Sequence, residues 1–86
     1  MKNINDDKRM ILVEERSPLA VFLLDKRRHL GLTQREVAEQ SGLSHYKIGA
    51  YEVNVTPNAR DLSSLLNTLK LSSHEKLLAI ELASES

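Results

Sequence analysis

The sequence contains no cysteine and no tryptophan, and only one phenylalanine and two tyrosines among its 86 residues. Without cysteine the chain can form neither a disulfide nor a thiolate metal site, and it has no thiol nucleophile. Because 41% of the residues are hydrophobic while aromatic side chains are scarce, the core must consist of Leu, Ile, Val and Ala. A chain of this length has room for one small core, and this composition favours packed helices.

Long hydrophobic runs are also missing. The longest, "MILV" and "LAVFLL", are far too short to cross a bilayer, and the N-terminal stretch "MKNINDDKRM" carries acidic residues that a signal peptide would lack. We therefore expect a soluble, cytoplasmic protein. There is no glycine-rich phosphate loop and no pair of carboxylates that indicates a catalytic cleft, so we expect no enzyme and no cofactor. We expect no metal site either, because the histidines are scattered at His29, His45 and His74.

Charge is balanced over the whole chain but unevenly distributed along it. The formal net charge is zero. Residues 1–24 are neutral, residues 25–60 hold six basic against four acidic residues, and residues 61–86 carry an excess of two acidic residues. The positive excess therefore lies in the middle of the chain, which is where a nucleic-acid surface would have to lie.

Helix-start and helix-stop signals divide the chain. Ser17 followed by Pro18 predicts the start of a first helix that runs to about His29 and ends at Gly31. Thr33, with a glutamate three residues later, predicts a capping box and a second helix over about 33–40.

Three more helices follow from the same signals. Gly42 supplies a left-handed residue after the second helix, and Ser44 predicts the cap of a third. A fourth helix is predicted to start near Asn58, and a fifth at Ser72 with Glu75 completing another capping box.

The stretch "LTQREVAEQSGLSHYKIGAYE", Leu32 to Glu52, resembles the helix-turn-helix of the Cro and CI type phage repressors and the wider Xre-like regulators. The residues that carry the resemblance are Gln34, Ala38, Gly42, Ile48, and Arg27 with Glu52. The resemblance covers about residues 18–83. It implies an all-α domain of five helices, like that of lambda repressor, over residues 17–86, with its helix-turn-helix unit at 33–53 and an N-terminal arm at 1–16.

The resemblance also implies a site for double-stranded DNA. Its expected base contacts lie on the third helix at His45, Tyr46, Gly49 and Ala50. Its expected phosphate contacts are Gln34, Arg35, Lys47, Asn58 and Arg60, with bracing of His45 as an alternative for Gln34. Arg27 and Glu52 are expected to form a structural ion pair. Gly49 and Ala50 have no hydrogen-bonding side chain, so we expect modest base specificity with a contribution from DNA shape.

The N-terminal arm lies outside the resemblance. Its segment "RMILVEE", Arg9 to Glu15, fits a short strand that either folds over the first helix or pairs with the same segment of a second subunit; a flexible tail is the alternative. The candidate protein interface comprises the apolar residues of this segment and of the first helix, Met10, Ile11, Leu12, Val13, Phe22 and Leu24.

Two functions follow from these patterns. The first is a sequence-specific transcriptional regulator, a repressor of the phage, plasmid or mobile-element type that occupies an operator as a homodimer. The second is a helix-turn-helix scaffold that binds and masks a partner protein, as an antiactivator or an antitoxin does. The zero net charge and the apolar first helix favour the second to some extent.

Overall fold

The computed structural model describes residues 16–85, which form five α-helices and no strand. These are α1 (Pro18–His29), α2 (Gln34–Ser41), α3 (His45–Tyr51), α4 (Ala59–Thr68) and α5 (Ser73–Ser84). The predicted all-α, five-helix class is therefore confirmed for this part of the chain. The strand predicted around Met10 to Val13 lies outside the described residues. None of the five helices has the length and apolar character that a bilayer crossing requires.

Each helix begins at a side chain that caps its first turn, because the first backbone N–H groups of a helix have no partner within it. The capping residues are Ser17, Thr33, Ser44, Asn58 and Ser72. Two of them form the predicted capping boxes, in which Glu36 and Glu75 return a hydrogen bond to the cap backbone. The sequence signals thus place the helix starts correctly.

The turn between α2 and α3 depends on one glycine. Gly42 adopts a left-handed conformation with φ +78°, and its N–H donates to the Ala38 carbonyl at 3.0 Å. A residue with a Cβ would be strained in this conformation. Gly42 therefore allows α3 to start at His45, after a turn of only three residues, which is the close helix pair that the sequence predicts.

One core of aliphatic side chains joins all five helices. Its largest fully buried side chains are Leu19, Val37 and Ile48, each about 1% exposed. Helix α2 packs against both α3 and α4, while α1 packs against α5. The core cluster as a whole is Leu19, Leu23, Val37, Ala38, Ile48, Tyr51, Leu62, Leu65, Leu66, Leu69, Leu71 and Ala79. Burial of Ile48 and Tyr51 fixes which face of α3 points inward.

The start of α1 is fastened to the end of α3. The Arg16 guanidinium donates from Nε to the Glu52 carbonyl at 2.8 Å, and the Ser17 N–H donates to the Val53 carbonyl at 3.0 Å. Arg16, which was expected to belong to the N-terminal arm, thus contacts the helical domain directly.

Candidate nucleic-acid interface

The outward face of α3 carries the residues expected to contact bases. His45 and Tyr46 lie in its first turn and are exposed, Tyr46 to 85%. An aromatic side chain that projects so fully into solvent contributes little to the core, whereas Ile48 and Tyr51 on the opposite face are buried. The inner face of α3 is therefore packed in the core, and its outer face presents an imidazole and a phenol, both of which can form hydrogen bonds.

Gly49 and Ala50 lie further along α3 and are half-buried. A Cβ atom built on Gly49 would meet no other atom within 4 Å, so the space beside this residue is open. Neither residue offers a polar side chain. The structure is therefore compatible with close approach of a partner to the α3 backbone here, with hydrogen bonding confined to the first turn.

The start of α2 lies beside the start of α3. Gln34, Arg35 and His45 line one open concavity together with residues of the turn that precedes α2. Arg35 is exposed there and lines the same concavity as the expected base-contact residue His45. The structure thus brings a guanidinium and the first turn of α3 to the same surface.

Glu52 follows α3 directly and is almost completely buried. The Arg27 guanidinium donates to its two carboxylate oxygens, from Nε at 2.7 Å and from Nη2 at 3.0 Å. Nη1 of the same guanidinium donates to the Leu32 carbonyl at 2.7 Å. The buried carboxylate is therefore paired, and α1, the turn after it and the end of α3 are held together.

Gln34 belongs to this network as well. Its amide Nε2 donates to the Glu52 carboxylate at 2.9 Å. This bond is a third role, beside the phosphate contact and the brace of His45 that the resemblance implied. This contact could not be predicted from the sequence, since the two residues are 18 positions apart.

A second buried carboxylate, Asp61 on α4, lies next to α3. Its Oδ2 accepts hydrogen bonds from the Tyr51 hydroxyl at 2.5 Å and from the Lys47 ammonium at 3.1 Å. These two hydrogen bonds lower the pKa of Asp61 below its ordinary value, and the bond from Tyr51 has the larger effect. Burial, aided by the bond to the carboxylate, raises the pKa of Tyr51 to about 12. Asp61 is therefore ionised and Tyr51 protonated at neutral pH, which is the pairing this geometry requires.

The remaining expected phosphate contacts lie at the start of α4. The Asn58 side chain caps that helix by accepting from the Asp61 N–H at 2.8 Å, while Arg60 in its first turn is exposed. The ion pair between Lys47 and Asp61 brings this end of α4 against α3. The candidate site thus spans the start of α2, the outward face of α3 and the start of α4.

The apolar residues proposed on α1 as a protein interface are mostly turned inward. Leu24 is 9% exposed and Phe22 packs against the core, so neither forms an open patch. Of the seven large hydrophobic residues that are exposed within the described part of the chain, three lie on α5, where Leu77, Leu78 and Ile80 are 62%, 40% and 50% exposed. Met10 to Val13, the other half of that interface, lie outside the described residues.

Within residues 16–85 no group of three or more His, Asp or Glu side chains is arranged so that it could hold a metal ion.

Comparison with protein families gave one match, to a family described as a helix-turn-helix domain, over residues 22–81. The match covers more than half of the chain and includes all of α2 and α3. Comparisons with curated proteins and with solved structures gave no match. The chain therefore belongs to the helix-turn-helix family. In helix-turn-helix proteins that bind DNA, the second helix of the two-helix unit characteristically enters the major groove. Membership in this family supports DNA binding.

Proposed function

We propose that this helix-turn-helix protein is a sequence-specific transcriptional regulator, a repressor of the phage, plasmid or mobile-element type that acts by occupying an operator as a dimer. The observation that carries the proposal is the arrangement of α3. Ile48 and Tyr51 fix its inner face in the core, and His45 and Tyr46 project from its first turn into solvent. A helix held in this way can enter a major groove without losing its support.

Base contacts and phosphate contacts have different roles in this proposal. His45 and Tyr46 form the hydrogen bonds to base edges, and Ala50 meets a thymine methyl group. Gly49 lets the α3 backbone approach the groove closely, because no side chain fills the open space beside it. Because only two side chains supply polar readout, DNA shape contributes to specificity.

The phosphate contacts surround α3. Arg35 and Arg60 are exposed at the starts of α2 and α4, where each can reach a backbone strand on either side of the groove. Lys47 retains donors beyond the one it gives to Asp61. Gln34 and Asn58 contribute through the amide groups that their structural hydrogen bonds leave available. These contacts position the protein and do not select a sequence.

The dimer is proposed to form through α5. This helix exposes Leu77, Leu78 and Ile80, and Ile80 also borders a groove between α4 and α5 that is lined mainly by apolar residues such as Leu62 and Leu66. Helix α5 thus has apolar residues on its exposed side as well as on its buried side, whereas the outer side of a surface helix is typically polar. A second copy packed symmetrically on α5 would bury this surface and present two α3 helices to successive turns of DNA.

The exposed face of α5 also favours the alternative function, a scaffold that masks a partner protein. Apolar contacts of this kind bind proteins through a few large side chains and depend little on salt. The zero net charge fits this alternative as well, since it reduces non-specific attraction to DNA.

A gel-shift assay on DNA from upstream of the protein's own gene and its neighbours distinguishes the two functions when it is run beside a pull-down from the native cell. A regulator retards one duplex in preference to others and recovers no stoichiometric protein partner. A masking protein recovers such a partner and retards every duplex equally or not at all.

A further inference from the structure

Asp61 lies beside the only lysine or arginine of α3. Its side chain is 5% exposed, while that of Lys47 is 49% exposed, and the distance between the ammonium and Oδ2 is 3.1 Å. Tyr51, one helical turn after Lys47, donates to the same oxygen at 2.5 Å. One buried carboxylate of α4 therefore holds two successive turns of α3.

The pairing reduces what Lys47 can contribute to DNA binding. Non-specific affinity depends on how many phosphates the protein neutralises, because each one releases counterions. An ammonium that already faces a carboxylate at 3.1 Å is largely neutralised before any phosphate approaches. Among the described residues, exposed Arg35 and Arg60 form no ion pair of this kind, although Arg60 has a longer-range coulombic attraction to Asp61.

We infer that Asp61 is a specificity-determining residue: it restrains Lys47, keeps non-specific affinity low, and makes stable binding depend on the base contacts of α3. The inference rests on the proposed DNA-binding function. It assigns to a buried carboxylate on α4, which touches no base, control over the ratio between specific and non-specific binding. Asp61 acts through Lys47 and the position of α3, so it is a positioning residue.

The test uses the full chain and two probes, a duplex enriched by the wild-type protein from a random-sequence library and a scrambled duplex of equal length. Asp61→Asn removes the charge with little change in shape. We expect its affinity for the scrambled duplex at about 50 mM salt to rise roughly five- to fifteen-fold, and its salt dependence to steepen by about 0.9 for each bound subunit. Discrimination between the two duplexes should fall by a similar factor, since the enriched duplex gains less.

A matched control separates release of Lys47 from the change in net charge. Asp25→Asn makes the same charge change at an exposed position of α1, outside the proposed DNA surface. In a Lys47→Met background, most of the effect of Asp61→Asn should disappear, because no ammonium remains to be released and only the coulombic attraction between Asp61 and Arg60 is still lost. Circular dichroism of Asp61→Asn must match that of the wild type, because a loosened chain with more accessible basic side chains can also gain non-specific affinity.

A second measurement leaves Asp61 intact, in case Asp61→Asn fails to fold. If Asp61 restrains Lys47, then Lys47→Met should lower the salt dependence on the scrambled duplex by less than half as much as Arg35→Met does. Equal effects of these two variants, or an Asp61→Asn protein that behaves like Asp25→Asn, would overturn the inference and leave the proposed function standing. Wild-type protein that enriches no duplex would overturn both.

Discussion

Arg27 on α1 and Glu52 at the end of α3 form a two-bonded ion pair, with Nε 2.7 Å from Oε2 and Nη2 3.0 Å from Oε1. Their side chains are 12% and 5% exposed, so both charges are largely removed from water. Burying two charges in this way costs desolvation energy, which their mutual attraction offsets. If one partner is removed, the charge of the other stays buried without compensation. The pair therefore makes the position of α3 depend on α1.

Arg27→Ala is expected to lower the free energy of unfolding by about 3 kcal/mol or more, because Glu52 stays buried without its guanidinium. Urea denaturation followed by circular dichroism measures this loss. The double variant Arg27→Met, Glu52→Leu should recover much of it, since neither charge remains. A single variant as stable as the wild type would show that the pair does not support the fold.

Lys70 follows α4 in a left-handed conformation, with φ +57°. A residue with a Cβ is strained there, so Lys70→Gly should raise the free energy of unfolding by about 0.5 to 1 kcal/mol. Lys70→Ala is the matched control, because it removes the same charge and keeps the Cβ atom. Equal stability of the two variants would mean that the left-handed conformation at residue 70 does not lower the free energy of unfolding.

The ion pair between Lys26 and Glu75 joins α1 to α5, with the ammonium 2.8 Å from Oε2. Its hydrogen bond, together with that from the Ser72 N–H, lowers the pKa of Glu75 from 4.5 to about 2. Because the folded-state pKa is below the ordinary value, the stabilisation is present above about pH 4.5 and is lost as the pH falls towards 2.

Lys26→Met should therefore flatten the fall in melting temperature between pH 5 and pH 2. The control is Lys76→Met, which removes an equal charge from a lysine that donates to the neutral Asn67 side chain. Thermal melts across this range compare the two variants with the wild type. Identical acid profiles for Lys26→Met and the wild type would contradict the assigned cause of the shift.

A dimer through α5 should be sensitive to charge on its apolar face. Leu77→Glu and Ile80→Glu are expected to convert a dimer into a monomer in sedimentation velocity, since each would bury an unpaired carboxylate. Val55→Glu is the control, because Val55 in the loop after α3 is 48% exposed, close to the 50% of Ile80. Dimers that survive both α5 substitutions would place the dimer interface elsewhere.

Local signals made much of the fold predictable. Thr33 with Glu36 and Ser72 with Glu75 lie three residues apart, and their hydrogen bonds depend only on the geometry of one helical turn. The turn after α2 needs a residue with a positive φ angle, and Gly42 meets this need by itself. Such features can be recognised in the sequence because their partners are close neighbours.

The contacts of the site were less predictable because they join different helices. Asp61 meets Tyr51 and Lys47 across 10 and 14 positions, and these bonds exist only because α4 packs beside α3. Gln34 binds Glu52 for a similar reason. The polar side chains at these positions have many possible hydrogen-bond partners, including water, so the sequence alone does not indicate which one each of them binds.

The most direct test of sequence-specific DNA binding is an anisotropy titration at two salt concentrations, on the enriched and scrambled duplexes, with wild-type protein and three variants. His45→Ala and Tyr46→Ala should each cost about 1 to 3 kcal/mol on the enriched duplex and relax discrimination, because they remove base contacts. Arg60→Ala should weaken both duplexes alike and lower the salt slope by about one for each subunit. Wild-type protein that shows no preference between the duplexes at about 50 mM salt would contradict the account.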